Sequence, residues 1–363
     1  MATRIKNRIE EFRRYRGLST PDLAKLIGVT RQSAHAMETG TYVPNTAVAL
    51  KVARALRTTV DKLFEIVDEG DDGLGYETVH LLPGEAEEPG RLVQIAKVGD
   101  KLVASAPTPT PWYIPTADGY LDEDPDRARL FDPYQSTKNR LLMVGCDPGM
   151  AVLARHLLRV GVELVMVHRN SSAALELFRK DMVHIAGVHS NSLMKDIPAL
   201  GNQNEVRNVR YAVWQAGICV PAGNPKTIRG IEDFLRPDVT IVNREIGAGA
   251  RILLTSKLEA LGVDPYEAVQ GFRSEAHGHL IAAWHVANGL ADACVATLAS
   301  ARAFGLGFLP LEAESYNLVF ARYFMTGELE QKIHDTLAKA AFRREVEALG
   351  GYDAQVAGTP VID

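Results

Sequence analysis

Cysteine is scarce in this chain, and its placement excludes the chemistry of cysteine-rich proteins. Only three cysteines occur in 363 residues, Cys146, Cys219 and Cys294, far apart and without a CxxC pair. Disulfide scaffolds and thiolate zinc sites need closely and regularly spaced cysteines. The spacing therefore argues against both and predicts buried, unreactive thiols.

Long apolar runs are also missing. Hydrophobic residues make up 46% of the chain, but no run approaches the roughly 18 residues that a membrane span needs. The first letters, MATRIK, are followed by charged residues rather than by the apolar stretch of a secretory signal. These two features predict a cytoplasmic protein without a membrane segment.

Catalytic signatures are absent from the sequence as well. It contains no Ser-His-Asp ordering, no paired carboxylates in a motif and no phosphate-binding loop. We therefore expect a binding protein rather than an enzyme, and we expect no cofactor.

Charge is present, and it is unevenly distributed. Residues 1–66 carry 12 Lys and Arg against 6 Asp and Glu, whereas the rest of the chain has a net charge of -11. A basic segment on an acidic body is typical of a DNA-binding domain attached to another domain. A basic, solvated helical face without a partner is the alternative.

Turn and capping signals divide residues 1–66 into short helices. Ile5, Ile9 and Phe12 fall on one face of a first helix, and no strand pattern interrupts the helices that follow. Ser19 or Thr20 is expected to cap the second helix. An acidic stretch containing glycine, from Glu65 to about Gly73, predicts a domain boundary.

Residues 67–137 contain one strong local signal. Two alternating segments, 91–98 and 101–104, flank Gly99-Asp100 as the strands of a hairpin would. Prolines then crowd residues 107–115, and an acidic loop covers 122–126. We expect a linker and a small β connector here, without a function of its own.

From residue 138 onward the pattern becomes strand, turn and helix, repeated. Apolar strands are predicted at 140–145, 162–167, 183–188, 210–214 and 239–242. Strands that alternate with helices imply a mainly parallel sheet covered on both faces. Ligands of such sheets bind beyond the carboxyl ends of the strands.

Residues 23–40, LAKLIGVTRQSAHAMETG, carry a specific motif: an interhelical alanine, a turn glycine, a capping threonine and a Glu-x-Gly exit. This pattern resembles the repressor-type helix-turn-helix of the Xre/Cro family over roughly residues 3–64. The resemblance implies that the third helix enters the major groove of double-stranded operator DNA.

The expected DNA contacts follow from that resemblance. Arg31 and Gln32 lead as base readers, because a guanidinium can bind guanine and a carboxamide can bind adenine in bidentate fashion. The other expected contacts are Ser33, His35, the helix cap Thr30, and the backbone-contacting Thr41 and Tyr42. A single module buries little surface on DNA, so we expect a homodimer on two half-sites.

Three further segments resemble one family of solute receptors. They are VHRNSSAALELF (167–178) with DMVHIAGVH (181–189), NREIGAGAR (243–251) and LGGYD (349–353). They look like the periplasmic-binding-protein-like domain of cytoplasmic regulators, similar to the molybdate-binding receptors. We therefore expect a multidomain chain: an all-α helix-turn-helix domain at 1–66, a linker and small β connector at 67–137, and a two-lobed α/β domain at 138–363.

Two helix starts in the last domain are suited to an anion. Ser171 and Ser172 follow a strand and open a helix, which places hydroxyls and free backbone N–H groups together. The second start, at residues 247–251, has small residues and the guanidinium of Arg251. A third turn, at Asp147, offers a carboxylate that would repel a bare anion. The full set of expected ligand contacts is Asp147, Gly149, Ser171, Ser172, His189, Gly247, Ala248, Gly249, Arg251 and His277.

Histidines are frequent around these turns, but their spacing does not indicate a metal. Only His277 and His279 are close in sequence, and no third ligand accompanies them in a motif, so we predict no metal site.

The functional hypothesis is a transcription regulator whose ligand changes its fit to operator DNA. The resemblance favours molybdate or tungstate as effector, while other oxyanions and small organic acids remain open. An enzyme with an appended DNA-binding module and a protein-interaction scaffold are the alternatives.

Overall fold

The computed structural model describes residues 3–68, 75–108, 116–132, 137, 139–189, 206–321 and 327–361. The chain divides into two compact units, Met1–Gly75 and Tyr76–Asp363. Within the described residues, no helix has the length and apolar character needed to cross a membrane.

The first unit is a bundle of short helices around an apolar core. The helices are α1 (Ile9–Tyr15), α2 (Thr20–Ile27), α3 (Arg31–Glu38), α4 (Thr46–Ala55) and α5 (Val60–Leu63). Leu23, Ile27, Met37, Val52 and Leu56 are among its buried residues. The first four each lie on one face of their helix, as the amphipathic spacing predicts, and Leu56 directly follows α4.

Local capping chemistry sets the helix ends. The side chain of Ser19, rather than that of Thr20, accepts a hydrogen bond from Asp22 N in a capping box that begins α2. Gly28, with φ of 75°, ends α2 in the left-handed conformation that glycine adopts without strain. Asn45 caps α4 through a hydrogen bond from Val48 N.

One expectation for this unit is wrong. Ile5 does not lie on the first helix but in strand β1 (Thr3–Asn7), which pairs antiparallel with β2 (Phe64–Asp68). The helical character is confirmed, but the unit is not all-α. The sequence pattern missed the ribbon because a five-residue strand becomes recognisable only beside its partner, which lies about 60 residues away in the chain.

The second unit begins with a sheet in the order β3-β8-β7-β5-β6-β4. Its strands are β3 (Gly75–Thr78), β4 (His80–Leu81), β5 (Leu92–Val98), β6 (Lys101–Ser105), β7 (Gly119–Leu121) and β8 (Arg127–Leu130). Strands β5 and β6 form the predicted hairpin, with Val98 opposite Lys101.

This sheet shares its core with the strands that follow. Ala96 and Val103 pack in one cluster with Val144 and Val165. Buried Arg140 joins the two layers, because its Nη1 donates to Ile95 O at 2.8 Å and forms an ion pair with Asp118. The described residues between 76 and 130 are therefore packed into the second unit rather than strung between two domains.

The main sheet has the order β10-β9-β11-β16-β12-β15, with β17 beside β12. Its strands are β9 (Arg140–Gly145), β10 (Glu163–His168), β11 (Ile185–Val188), β12 (Val206–Val220), β15 (Cys294–Thr297), β16 (Gly307–Ala321) and β17 (Tyr352–Asp353). Within the described residues of this sheet, the contacts of β9 with β10 and β11 are parallel, and those of β12 and β16 are antiparallel. The mainly parallel sheet expected from the sequence is thus corrected to a mixed one.

The 15-residue strands β12 and β16 run through two lobes. Val209 and Trp214 of β12 belong to the core of the first lobe, whereas Ile218 and Val220 of the same strand belong to that of the second. Register shifts interrupt the β12–β16 pairing after Arg210 and after Ala216. The second of these shifts lies between Trp214 and Ile218, where the strand passes from one core to the other.

Helices cover both lobes. They are α6 (Met150–Leu158), α7 (Ser171–Arg179), α8 (Gly249–Ala260), α9 (Pro265–Ala268), α10 (His279–Ala287), α11 (Leu298–Ala303), α12 (Gly327–Ala338) and α13 (Ala340–Ala348). A 3-10 helix covers Ile231–Leu235. The strand predicted at 239–242 is reduced to a single bridge at Ile241, followed by the parallel pair β13 (Asn243–Arg244) and β14 (Glu275–Ala276).

Candidate functional site

Helix α3 presents polar side chains on the surface of the first unit. Arg31, Gln32 and His35 are exposed, whereas Ala34 and Met37 of the same helix are buried in the core. The two sets alternate with helical periodicity. The outer face of α3 is therefore available to a partner.

The remaining predicted DNA contacts also shape the helix. Thr30 caps α3 by accepting a hydrogen bond from Ser33 N, and its hydroxyl lies 2.8 Å from that of Ser33. The hydroxyl of Thr41 donates to Ala36 O at 3.1 Å, which closes the other end. Tyr42 is exposed beside it.

A buried ion pair that the sequence reasoning missed supports this surface. Arg13 Nε of α1 lies 2.5 Å from Glu38 Oε1 of α3, and Arg13 also donates to Leu18 O. Thr20 of α2 donates to the same carboxylate at 3.2 Å. Glu38 thus links α1, α2 and α3, which gives the glutamate of the Glu-x-Gly segment a structural role.

In the second unit, the carboxyl ends of β9 and β11 form the floor of a cleft. Cys146 directly follows β9, His189 directly follows β11, and both are buried. Tyr316 of β16 packs across both strand ends, where a Cβ at Gly145 or Gly187 would collide with its hydroxyl. The two glycines therefore give the tyrosine its place in the floor.

Asp147 lies at the start of α6 and is buried. Its Oδ1 accepts hydrogen bonds from Gly149 N and, at 3.1 Å, from the Tyr352 hydroxyl, while Tyr211 donates to Gly149 O. Burial raises the pKa of Asp147 to about 7, although the bonds from Gly149 and Tyr352 act in the opposite direction. Its Oδ2 is buried without a hydrogen-bond partner among the described residues.

Ser171 and Ser172, predicted to bind ligand, are engaged by the protein. The hydroxyl of Ser171 accepts a hydrogen bond from His189 N at 3.1 Å. The hydroxyl of Ser172 donates to Gly247 O at 3.2 Å, and Asn170 donates to Ile246 O at 3.0 Å. The start of α7 therefore orients His189 and holds the loop before α8.

That loop brings the predicted glycines into the cleft. Gly247, with φ of 87°, lies against Asn170, and buried Ala248 precedes α8. A Cβ at Gly249 would collide with the ring of His189. Glycine at this position thus permits α8 to begin directly against the histidine.

Arg251 is placed differently from the expectation. Its guanidinium donates to Arg244 O at 2.9 Å, to Glu275 at 2.6 Å and to the Tyr266 hydroxyl at 3.2 Å. These partners assign it to holding β13 and β14 to α8. Arg244, which the sequence reasoning missed, has a guanidinium nitrogen without a hydrogen-bond partner among the described residues.

Arg244 is almost fully buried and forms a two-point ion pair with Glu245, at 2.9 and 3.0 Å. Glu245 also accepts from Gly278 N at the start of α10. Among the described residues Arg244 Nη1 has no hydrogen-bond partner. Arg244 lies in the segment NREIGAGAR, which was the available sequence signal. The sequence analysis predicted Arg251 of the same segment as the ligand-binding guanidinium instead.

The two histidines that are close in sequence lie in different environments. His277 is exposed, whereas His279, the first residue of α10, is buried. Burial lowers the pKa of His279 well below its usual value, and nearby Arg244 and His189 lower it further. Neither ring nitrogen of His279 has a hydrogen-bond partner in the described part of the chain.

His189 lies at the centre of the cleft. Its Nδ1 is 2.5 Å from Glu314 Oε2, and its ring contacts Trp214 edge to face with centroids 4.9 Å apart. Burial by itself would lower the pKa of His189, but Cys146 and Glu314 outweigh it and raise the pKa to about 10.

One group of side chains offers a set of metal ligands. The ligand atoms of Cys146, His189 and His279 all lie within 4.8 Å of one another, and all three residues are buried. The sequence spacing concealed this cluster, since its members come from three separate segments.

Both lobes therefore contribute buried polar atoms to the cleft that have no hydrogen-bond partner among the described residues. Asp147 Oδ2 belongs to the first lobe, while Arg244 Nη1 and the nitrogens of His279 belong to the second. Buried polar atoms are nearly always hydrogen-bonded, and each exception costs free energy or marks a binding site. The arrangement is suited to enclosing a small polar ligand.

Comparison with known families agrees with the fold of each of the two units. Residues 7–64 match the family model of a helix-turn-helix domain, and residues 154–338 match the model described as PBP superfamily domain. The chain thus combines a helix-turn-helix domain with a PBP superfamily domain. The second match covers just over half of the chain, and the chain belongs to the PBP superfamily.

Two curated proteins are similar to parts of this chain. YvgK of Bacillus subtilis is 34% identical over 155 residues, which are 43% of this chain and 49% of YvgK, so the chain spans about half the length of that relative. YgzD of the same organism, named as an uncharacterized HTH-type transcriptional regulator, is 37% identical over 65 residues, 18% of this chain and 98% of YgzD.

Among solved structures, one is described as a putative phosphate ABC transporter substrate-binding protein with bound phosphate from Clostridium perfringens. It is 13% identical and covers 59% of this chain and 99% of its own, with a TM-score of 0.45. The likeness is too distant to indicate a ligand.

Proposed function

We propose that a dimer of this chain binds operator DNA through α3, and that a small ligand bound between the lobes changes the fit of the dimer to the operator. The observation that carries the ligand part is the set of buried, unpartnered polar atoms contributed by both lobes, within the described residues. A ligand that bonds to both lobes favours one lobe arrangement over others.

On the DNA side, Arg31 and Gln32 read base edges from the start of α3, with Ser33 and His35 beside them. The exposure of Arg31, Gln32 and His35 supports this assignment. Thr30, Thr41 and Tyr42 lie near the two ends of the helix, where contacts to phosphates set register rather than sequence. Two modules one helical turn apart would supply the affinity that one module lacks.

We further propose that the effector carries an anionic group, which Arg244 Nη1 receives. An oxyanion such as molybdate or tungstate is one such ligand. A small organic acid is the second candidate, and Asp147 favours it, because a ligand with a hydroxyl as well as a carboxylate would satisfy both free groups.

A thermal-shift screen of the full chain against oxyanions and small carboxylic acids tests the effector. A ligand that binds the folded state raises the melting temperature of the protein. The matched variants are Arg244→Lys, which keeps the charge but loses the planar fork, and Arg273→Lys, a largely exposed control in the same lobe. We expect the shift to shrink in the first variant alone.

Fluorescence anisotropy with an operator selected from random DNA then tests the regulation. The ligand identified in the screen should change operator affinity by about 5- to 150-fold, the usual range of allosteric coupling. Equal affinity with and without ligand would contradict the proposed regulation. Analytical ultracentrifugation of the protein with one and two half-sites tests the dimer.

A further inference from the structure

Three distant segments bring a thiol and two imidazoles together in the cleft. Cys146 follows β9, His189 follows β11, and His279 opens α10 of the other lobe. Their candidate ligand atoms lie within 4.8 Å of one another, and each side chain is at least nine-tenths buried.

We propose that Cys146, His189 and His279 bind a thiophilic divalent metal ion of the Zn²⁺ class in this cleft. The inference rests on the cleft of the proposed function being the effector site. It adds to that function a metal ion as part of what the cleft binds.

The donor set and its spacing fit such an ion. Zinc takes cysteine sulfur at about 2.3 Å and histidine nitrogen at about 2.0 to 2.1 Å in a tetrahedral arrangement, which places neighbouring donors about 3.3 to 3.6 Å apart. Donors already within 4.8 Å reach that spacing by movements on the order of 1 Å. Imidazole and thiolate together select zinc-like ions over calcium and magnesium, which prefer oxygen.

His279 is the independent sign that the cluster takes a ligand. It is 2% exposed, and among the described residues both of its ring nitrogens lack a hydrogen bond. Gly278, with φ of 101°, holds the preceding backbone in a conformation that glycine favours, so α10 begins with the imidazole turned inward. A neutral imidazole without a partner is a ready metal ligand.

His189 has the orientation that metal sites commonly use. Its Nδ1 bonds to Glu314, which leaves Nε2 for an ion. Metal-binding histidines usually hold their second nitrogen against a carboxylate or carbonyl in this manner, and that contact sets the ring orientation.

The charges around the cluster also favour a cation. Asp147 and Glu314 lie near His189, and Glu245 accepts from Gly278 N beside His279, whereas Arg244 is the guanidinium that faces His279. A divalent ion beside Asp147 would remove the repulsion that this carboxylate exerts on an anion. Three protein ligands leave a fourth position, which an anionic effector is suited to fill.

Cobalt titration of the full chain, first stripped with a chelator, tests the site. Co²⁺ substitutes for Zn²⁺, and a bound thiolate gives a near-ultraviolet charge-transfer band. We expect this band at one equivalent, its loss in Cys146→Ser, and at least a tenfold loss of affinity in His279→Gln. The matched control is His277→Gln, which changes the exposed histidine two residues away and should bind as the unchanged protein does.

The folding of each apo variant is checked by its thermal melt, so that a lost band is not mistaken for an unfolded cleft. Absence of the band in the unchanged protein, or its survival in Cys146→Ser, would overturn the metal site. Zn²⁺ competition for Co²⁺ supplies a second readout that needs no DNA.

The two proposals fail separately. If no metal binds but an anion still alters operator affinity, the metal site is wrong and the proposed regulation stands. If metal binds through Cys146 and neither metal nor anion alters operator affinity, the site stands and the proposed regulation is wrong.

Discussion

Helix α3 and the cleft display their polar side chains in opposite ways. Helix α3 holds Arg31, Gln32 and His35 in solvent, where water satisfies them. The cleft encloses Asp147 Oδ2 and His279, which have no such substitute among the described residues. An exposed site can be changed at little structural cost, whereas a buried one is tied to the stability of its unit.

We expect the largest loss of stability from breaking the buried Arg13–Glu38 ion pair, which supports the exposed surface of α3. Glu38→Ala leaves the buried Arg13 without its counter-ion, which should cost the first unit about 3 to 5 kcal/mol. Trp112, Trp214 and Trp284 all lie outside this unit, so helix loss by circular dichroism should precede any change in tryptophan fluorescence during urea unfolding.

The control for this change is Glu10→Ala, which removes an exposed pair with Arg14. Such pairs contribute about 0.3 to 0.5 kcal/mol. Equal losses in the two variants would show that the Arg13–Glu38 pair does not support α3.

We expect the stability of the second unit to depend on pH through the buried side chain of His184. Burial lowers the pKa of His184 to about 4 from 6.5, and its Nδ1 accepts a hydrogen bond from Leu142 N. Between these pH values the unfolded chain binds a proton that the folded chain does not, so stability falls as pH falls from 6.5 to 4. The full shift corresponds to about 3 kcal/mol.

His184→Asn keeps an acceptor but cannot titrate, so its urea midpoint should fall less between pH 7 and pH 4.5. The exposed His80→Asn serves as control. An unchanged pH slope in His184→Asn would remove this histidine as the source.

Substitution of Gly187, a glycine of the cleft floor, should lower stability by a similar amount. Gly187→Ala would press a methyl group against Tyr316 and Met143, at an expected cost of about 1 to 3 kcal/mol. Gly327→Ala adds the same group in open space at the start of a helix and should be neutral or stabilising. Tryptophan fluorescence during urea unfolding measures both, and equal stability would mean that Tyr316 can move aside.

The exposed helix should lose function without losing stability. Arg31→Ala should weaken operator binding by about 1 to 3 kcal/mol and leave the melting temperature unchanged. Anisotropy with operator and with scrambled DNA separates base reading from general attraction, and Arg14→Ala is the control for charge. Full operator affinity in Arg31→Ala would remove this arginine from the reading role.

The local features of the fold were predictable because each depends on a few neighbouring residues. The cap at Thr30, the turn at Gly28 and the hairpin at Gly99-Asp100 all occur where the sequence predicts them. Pairings across long separations were not predictable from periodicity. The β1–β2 ribbon and the antiparallel placement of β12 and β16 are of this kind.

The same distinction applies to the cleft. The sequence predicts ligand groups at strand ends and helix starts, which are local features, and Ser171, Ser172, Arg251 and His277 are among them. Tertiary contacts engage the first three and leave the fourth exposed. Arg244 and His279 emerge only because burial and the filling of neighbouring hydrogen bonds decide which groups stay free.

The sequence by itself determined that a basic helix-turn-helix precedes an α/β domain, because capping, turn chemistry and charge act over a few residues at a time. Only the tertiary structure decided which side chains meet in the cleft. Cys146, His189, Arg244 and His279 are far apart in the chain, and their approach follows from β12 and β16 joining two lobes. Hydrogen-bond capacity is a property of the completed packing, so it could not be read from spacing alone.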